Sequence, residues 1–175
     1  MKGFLFLKVI ILSAFLACNN QPGKETAMLD TPGDNIILTT LHTYIDSLWN
    51  KKDTSFLKRI CSSQFERNLN GIKVADNQRE MLSHLNVFFT AFPDLKTNLE
   101  QAYVQDGKAS ILWSTEGTNT GIFGEVPPTG KKMKINGMTQ MYFNEKGKLY
   151  REDVYFNELD MLQQLGYTLI PPVLK

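Results

Sequence analysis

Cysteine and histidine are scarce in this 175-residue chain, with two of each. There is no HExxH, no CxxC and no G-x-S-x-G, and neither His42 nor His84 sits in a metal-ligand motif. Metal-dependent and covalent-nucleophile enzymes are therefore set aside, and neither a metal nor an organic cofactor is expected. Charge of one sign is also lacking: 19 basic residues face 18 acidic ones. Without a Lys/Arg-rich window, the chain has no means of tracking a phosphate backbone, and no nucleic-acid partner is expected. No apolar run is long enough to span a bilayer. Repeats and low-complexity segments are absent as well. What is present is a globular composition, 42% hydrophobic and 21% charged, at a length suited to one domain with its own core.

The longest apolar run, "VIILSAFLA" at 9–17, follows Lys2 and Lys8 and ends at Cys18. A basic start, a short apolar stretch and a following polar segment describe an export signal. The cysteine at its end resembles a bacterial lipoprotein signal, in which Cys18 is lipidated and becomes the first mature residue. The expected division is a signal at 1–17, a lipidated Cys18 with a flexible tether to residue 34, and a domain over 35–175. The expected location is extracytoplasmic, lipid-anchored in a bacterial cell envelope (periplasm or outer membrane in a Gram-negative cell). The mature chain keeps one other cysteine, Cys61, so it has no internal disulfide, and Cys61 reads as a buried structural thiol.

The spacing of Ile37, Leu41, Ile45 and Leu48 predicts a helix over about 36–50, capped by Asp34 or Asn35. Asp53 caps a shorter helix, "TSFLKRIC". Asp76 caps a third, "NQREMLSHLNVFFTAF", which Pro93 stops. Beyond Pro93 the period falls from 3.6 to 2, and "KTNLEQAYV", "KASILWSTEG", "KKMKINGMTQMYF" and "GKLYREDVYF" read as strands joined by Gly-containing turns. "ELDMLQQLG" is a final short helix ending at Gly166. Helices first and strands afterward predict an α+β domain whose curved antiparallel sheet wraps the helices and leaves a cavity at its open end.

"GTNTGIFGEVPPTGKK", residues 117–132, stands out between two strands. It is not a phosphate loop. A Walker A sequence needs G-x-x-x-x-G-K followed by Ser or Thr, whereas Lys132 fills that place and Pro127 and Pro128 have no N–H to donate. Alternation along the flanking strands puts Ile111, Trp113 and Thr115 on one face, with Asn119 on the same parity, and Asp153, Tyr155 and Asn157 together on a face of the last strand. A pocket built from Trp113, Thr115, Met141 and Tyr155 suits a small, largely apolar molecule. The bland reading is that these are ordinary half-buried sheet positions.

"FPDL" at 92–95, the 117–132 segment, "GK" at 147–148 and "LQQLG" at 162–166 together resemble the SnoaL-like ester cyclase family, within the superfamily typified by nuclear transport factor two. The resemblance implies a cone of curved sheet around N-terminal helices with a short C-terminal helix (a cystatin-like α+β barrel), often dimeric through the sheet. For the polyketide cyclases it implies a metal-free aldol condensation in which a pocket Asp moves protons. In that pattern Asn119 stands where a His is usual and Asn157 where the acid/base Asp is usual. A carboxamide exchanges no proton near neutral pH, so neither can act as general base. Asp153, on the same face as Asn157, is then the candidate acid/base, with Asn119 and Asn157 polarising a carbonyl. Glu116 and Glu152 are assigned to the opposite face.

Two function classes stay open. One is a lipid-anchored binding domain for a small apolar or amphipathic molecule. The other is a cyclase, isomerase or dehydratase using Asp153. The binding class is preferred, because both ionisable positions are lost and export removes the chain from carrier-bound intermediates. A third use of the sheet face is homodimerisation alone. Replacing Cys18 by Ser is expected to release the protein from membranes or to block its processing. Fractionation that finds it still membrane-attached would defeat the lipid anchor.

Overall fold

A computed structural model describes residues 32–171, so the leader, Cys18 and most of the expected tether lie outside the described residues. Helix α1 (Pro32–Thr43) opens on a proline, whose missing N–H would have no helical partner at that position. It therefore starts before Asp34 and Asn35 rather than being capped by them. The helix runs directly into a π-helical turn, Tyr44–Asn50. Ile37, Leu41, Tyr44, Ile45 and Leu48 are buried along this continuous segment.

Asp53 caps the next turn as expected, its carboxylate accepting from Ser55 N–H at 3.1 Å. The helical segment that follows is shorter than its spacing suggested: a 3₁₀ turn (Thr54–Phe56) and α2 (Leu57–Ile60) give way at Cys61 to strand β1 (Cys61–Leu69). Burial at 57, 60, 61 and 65 mimics a helical stripe, but it arises from a turn of helix followed by an irregular strand. β1 returns as β2 (Ile72–Ala75) through Asn70–Gly71, both at positive φ (49° and 84°). That pair is the standard signature of a tight hairpin.

α3 (Gln78–Ala91) is capped one residue later than expected, by Asn77, which accepts from Glu80 N–H at 3.0 Å. β3 (Lys96–Gln105), β4 (Lys108–Thr118), β5 (Lys132–Phe143) and β6 (Leu149–Phe156) are the four expected strands, and α4 (Glu158–Gln164) the expected last helix. Gly166 ends it at φ +99°, a conformation that disfavours a side chain.

The sheet has six strands in the order β2-β1-β6-β5-β4-β3. All neighbours are antiparallel except β1 and β6, which run parallel. The pairings align side chains in rows on the helix-facing side. One row is Ala109–Met141–Glu152–Arg67, the next Ile111–Thr139–Val154–Leu69, the next Trp113–Gly137–Phe156, and then Thr115–Ile135. The first row closes into the main core with α1 and α3, where Met141 is fully buried. Phe92, Leu95, Met133, Met161 and Leu165 form a second cluster at the other end, under α4. The fold is the α+β arrangement of a curved sheet around helices anticipated above, enlarged by one hairpin.

Candidate functional site

Between the two hydrophobic clusters the rows do not fill the interior. A cavity of about 60 Å³ remains, open to solvent on one side. The π-helical turn supplies Tyr44, Ile45 and Trp49; α3 supplies Phe88 and the turn after it Leu95; the sheet supplies the rest, including Ile111, Trp113, Thr115, Thr139, Val154 and Phe156. Most of these walls are apolar.

Its polar end comes from β1 and β6. Arg67 and Glu152 are direct partners across the parallel pair, so their side chains rise side by side. They form an ion pair in which Arg67 Nη1 donates to Glu152 Oε1, and both are buried. Tyr44 Oη donates to Glu152 Oε1 and Oε2, at 2.7 and 2.9 Å, and accepts from Arg67 Nη1 at 3.2 Å. Above the pair, the guanidinium lies 5.4 Å from the Trp49 ring centroid, within cation–π range. Burial, then the neighbouring Glu152 carboxylate, pushes the Tyr44 phenol well above its ordinary value, so it stays a donor. Burial works against the Arg67 charge, but Glu152 and Tyr44 more than offset it and hold the guanidinium above its usual value. Arg67 Nε remains buried without an acceptor.

Trp113 forms the floor, fixed by three constraints. Its Nε1 donates to Thr139 Oγ1 at 2.9 Å. Phe156 meets it edge-on, with 6.1 Å between centroids. Gly137, its cross-strand partner, leaves room for the indole: a Cβ there would lie 2.4 Å from Trp113 Cζ2 and 2.6 Å from the Tyr155 carbonyl oxygen. Beside the floor, the hydroxyls of Thr115 and Thr97 share a hydrogen bond of 2.7 Å.

The structure brings Trp113 and Thr115 to the cavity and places the other sequence candidates elsewhere. Asp153 and Tyr155 do share a face, but it is the outer one; the inner face of β6 carries Glu152, Val154 and Phe156. Asp153 accepts from Asn68 Nδ2 at 2.8 Å and from Arg151 Nε at 3.1 Å. Its partial burial favours the neutral acid, yet Asn68 and Arg151 hold the carboxyl below its ordinary value. Tyr155 is 47% exposed. Asn157 is the cap of α4, accepting from Asp160 N–H at 3.0 Å. Met141 lies on the inner face, in the filled core beside Glu152 rather than at the cavity.

Asn119 is 1% exposed and occupied on both sides of its amide. Its Nδ2 donates to the carbonyls of Gly121 (2.8 Å) and Ala91 (3.3 Å), and its Oδ1 accepts from Thr129 N–H (2.9 Å) and Thr129 Oγ1 (3.0 Å). Gly121 N–H also bonds the Ala91 carbonyl, at 3.2 Å. Asn119 therefore staples the 117–132 segment to the C-terminal end of α3. A Cβ at Gly121 would come within 1.9 Å of the Thr90 carbonyl oxygen, which only glycine avoids.

The sequence reading missed Tyr44, Trp49, Arg67, Phe88, Glu152 and Phe156. Glu152 was named and sent to the wrong face, because Asp153 was taken as inward-facing and alternation then put its neighbour outside. Its partner sits on a strand that had not been recognised. Among the described residues, no group of three or more His, Cys, Asp or Glu is placed to hold a metal ion.

A model of the SnoaL-like polyketide cyclase family matches residues 39–165. Solved structures of low sequence identity share the fold. A SnoaL-like protein of Jannaschia sp. CCS1 is 18% identical, with a TM-score of 0.72 over 81% of this chain and 97% of its own. AclR of Streptomyces galilaeus is 20% identical, with a TM-score of 0.67 over 76% and 97%. A SnoaL-like polyketide cyclase of Agrobacterium tumefaciens is 20% identical, with a TM-score of 0.62 over 74% and 98%. No curated protein sequence matches the chain.

The buried pair can be tested by its asymmetry. Arg67→Met leaves Glu152 buried without its cation and is expected to cost about 3–5 kcal/mol in urea unfolding, whereas Arg67→Met with Glu152→Leu recovers most of the loss. A double variant no more stable than the single one would refute the pairing. A second test concerns His84 on α3, half-buried beside Phe88 at 5.2 Å between rings. Burial, then the Arg67 charge, lowers its pKa to about 4. The unfolded chain, with an ordinary value near 6.5, then binds a proton that the folded chain refuses. Stability conferred by the neutral imidazole is complete above about pH 6.5 and is lost as pH falls toward 4. Between pH 7 and 5, wild type should lose roughly 1–2 kcal/mol more than His84→Gln. Parallel curves would sink the assignment.

Proposed function

Because this chain belongs to the SnoaL-like polyketide cyclase family, we propose that its domain holds a small, largely apolar, oxygen-bearing molecule in the cavity. The observation that carries this reading is the cavity's composition: apolar walls and a floor of fixed indole, with one polar end whose charges are already paired. Burying an ion pair costs more desolvation than an apolar replacement would. Its placement at a cavity wall is therefore better explained by a ligand to be oriented than by stability. Arg67 has donors to spare, and Glu152 can accept a further hydrogen bond, so a carbonyl or hydroxyl can be met at that end while the rest of the molecule lies against Trp113.

In this reading the domain is also exported and carried on a lipid at Cys18. What supports this is the apolar run at 9–17 that ends at Cys18; separately, no helix among the described residues is long and apolar enough to cross a membrane. The outer row Leu112, Met138 and Tyr155, each more than 40% exposed, would accept a second copy of the chain through the sheet.

An enzymatic reading rests on one different residue. With Asp153 outside, Glu152 is the carboxylate at the cavity wall, and a cyclase, isomerase or dehydratase would use it as acid/base. Glu152 is engaged by both Arg67 and Tyr44, which favours holding a ligand over exchanging protons with it. Cyclohexanone separates the two readings. Titrated into the full chain, it should shift the Trp113 indole N–H and the Ile111 and Val154 methyl resonances. Ile135→Trp, which fills the cavity, should abolish those shifts. Absence of any shift would end the binding reading. Deuterium entering cyclohexanone next to its carbonyl in D₂O, faster with wild type than with Glu152→Gln, would transfer the case to an enzyme.

A further inference from the structure

The cavity is narrow in a way that follows from one pair of residues. The cavity measures about 60 Å³, well below the roughly 150 Å³ of an engineered apolar cavity that takes up benzene. A ligand as large as benzene must therefore extend past this space toward solvent, and it must be slim where it passes the floor. That floor is Trp113, and the indole cannot step back. It is tied to Thr139 through Nε1, braced by Phe156, and already lies in the space that a side chain at position 137 would need. On the opposite side, Trp49 and Phe88 stand edge to face at 6.4 Å, and Trp49 also carries the Arg67 guanidinium. Both walls are thus held by aromatic contacts, one of them locked to the ion pair.

We propose that Trp113, seated on Gly137, sets the size limit of this site, so that it admits a single six-membered ring bearing an oxygen and excludes fused-ring molecules. This rests on the binding reading above and narrows it. The oxygen meets the Arg67–Glu152–Tyr44 end and the ring lies along the Trp113 face. A second fused ring would have to displace the indole, breaking its bond to Thr139 and its contact with Phe156. Gly137 acts through Trp113: any Cβ there drives the indole into the remaining space, with the Tyr155 carbonyl blocking the other direction.

The test compares phenol with 1-naphthol, both titrated into the full chain and read at the Trp113 indole N–H and the Thr139 and Val154 methyls. Wild type should bind phenol at least about tenfold more tightly than 1-naphthol. Trp113→Ala should reverse that order. Gly137→Ala should weaken phenol binding by a similar factor; if it does not fold, Trp113→Phe, which shortens the floor, should relax the preference part of the way. If wild type holds 1-naphthol as tightly as phenol, or the order survives Trp113→Ala, the size limit is wrong even though cyclohexanone binds. If neither phenol nor cyclohexanone moves any cavity resonance, the binding reading falls and takes the size limit with it.

Discussion

The ion pair between Arg67 and Glu152 joins two parts of the chain 85 positions apart, at the seam between β1 and β6. β1 and β6 are the one parallel pair in the sheet, and register places these two residues directly across from each other. Parallel neighbours cannot be joined by a hairpin, so the β1–β2 ribbon must find its place by side-chain recognition. A charge on each strand, both facing inward, penalises every other register, since a shift of one residue would bury one charge alone. Tyr44 then extends the pair to the π-helical turn, fixing the helices over the sheet at the same point. The cavity lies beside this cluster, which forms its polar end.

At the other end of the domain, order is achieved with amides and backbone rather than charge. Asn119 occupies both faces of its carboxamide with the 117–132 segment and the end of α3. The last carbonyls of a helix need partners from outside it, and here Ala91 finds them in Gly121 N–H and Asn119 Nδ2. Phe123, carried by that segment, lies against Phe88 and Phe92. Phe88 is a cavity wall, so the glycine- and proline-rich stretch shapes the site indirectly, by setting where a helix ends and which ring backs the wall.

What the sequence disclosed follows the strength of each local signal. β3 to β6 alternate cleanly and are joined by glycine turns, so their existence and pairing were readable, as was the helical stripe of α3. β1 was hidden because Arg67 interrupts its inward positions and because Leu57, Ile60, Cys61 and Phe65 fall at near-helical spacing across a change of structure. Asn70–Gly71 was the available clue to its hairpin. Within the site, Trp113 and Thr115 were legible from alternation alone. Arg67, Glu152 and Tyr44 were not, because no local pattern marks a charge as buried. Only its partner does, and here the partners lie 85 and 108 positions away in the chain.

The error on β6 shows how little separates the two assignments. Asp153 and Glu152 are adjacent acids on one strand, and period-2 geometry sends them to opposite faces. The grouping of 153 and 155 was right as a parity, whereas 157 lies past the strand as the cap of α4, and which parity faces inward depends on the neighbouring strand. Arg67 on β1 selects Glu152, while Arg151 and Asn68 keep Asp153 on the outside. Alternation along the last strand therefore cannot by itself identify the acid at the cavity. In this chain that identity is decided by which acid has a buried cation beside it. The same cation engages the acid it selects, and together with Tyr44 it leaves both oxygens of that carboxylate partnered.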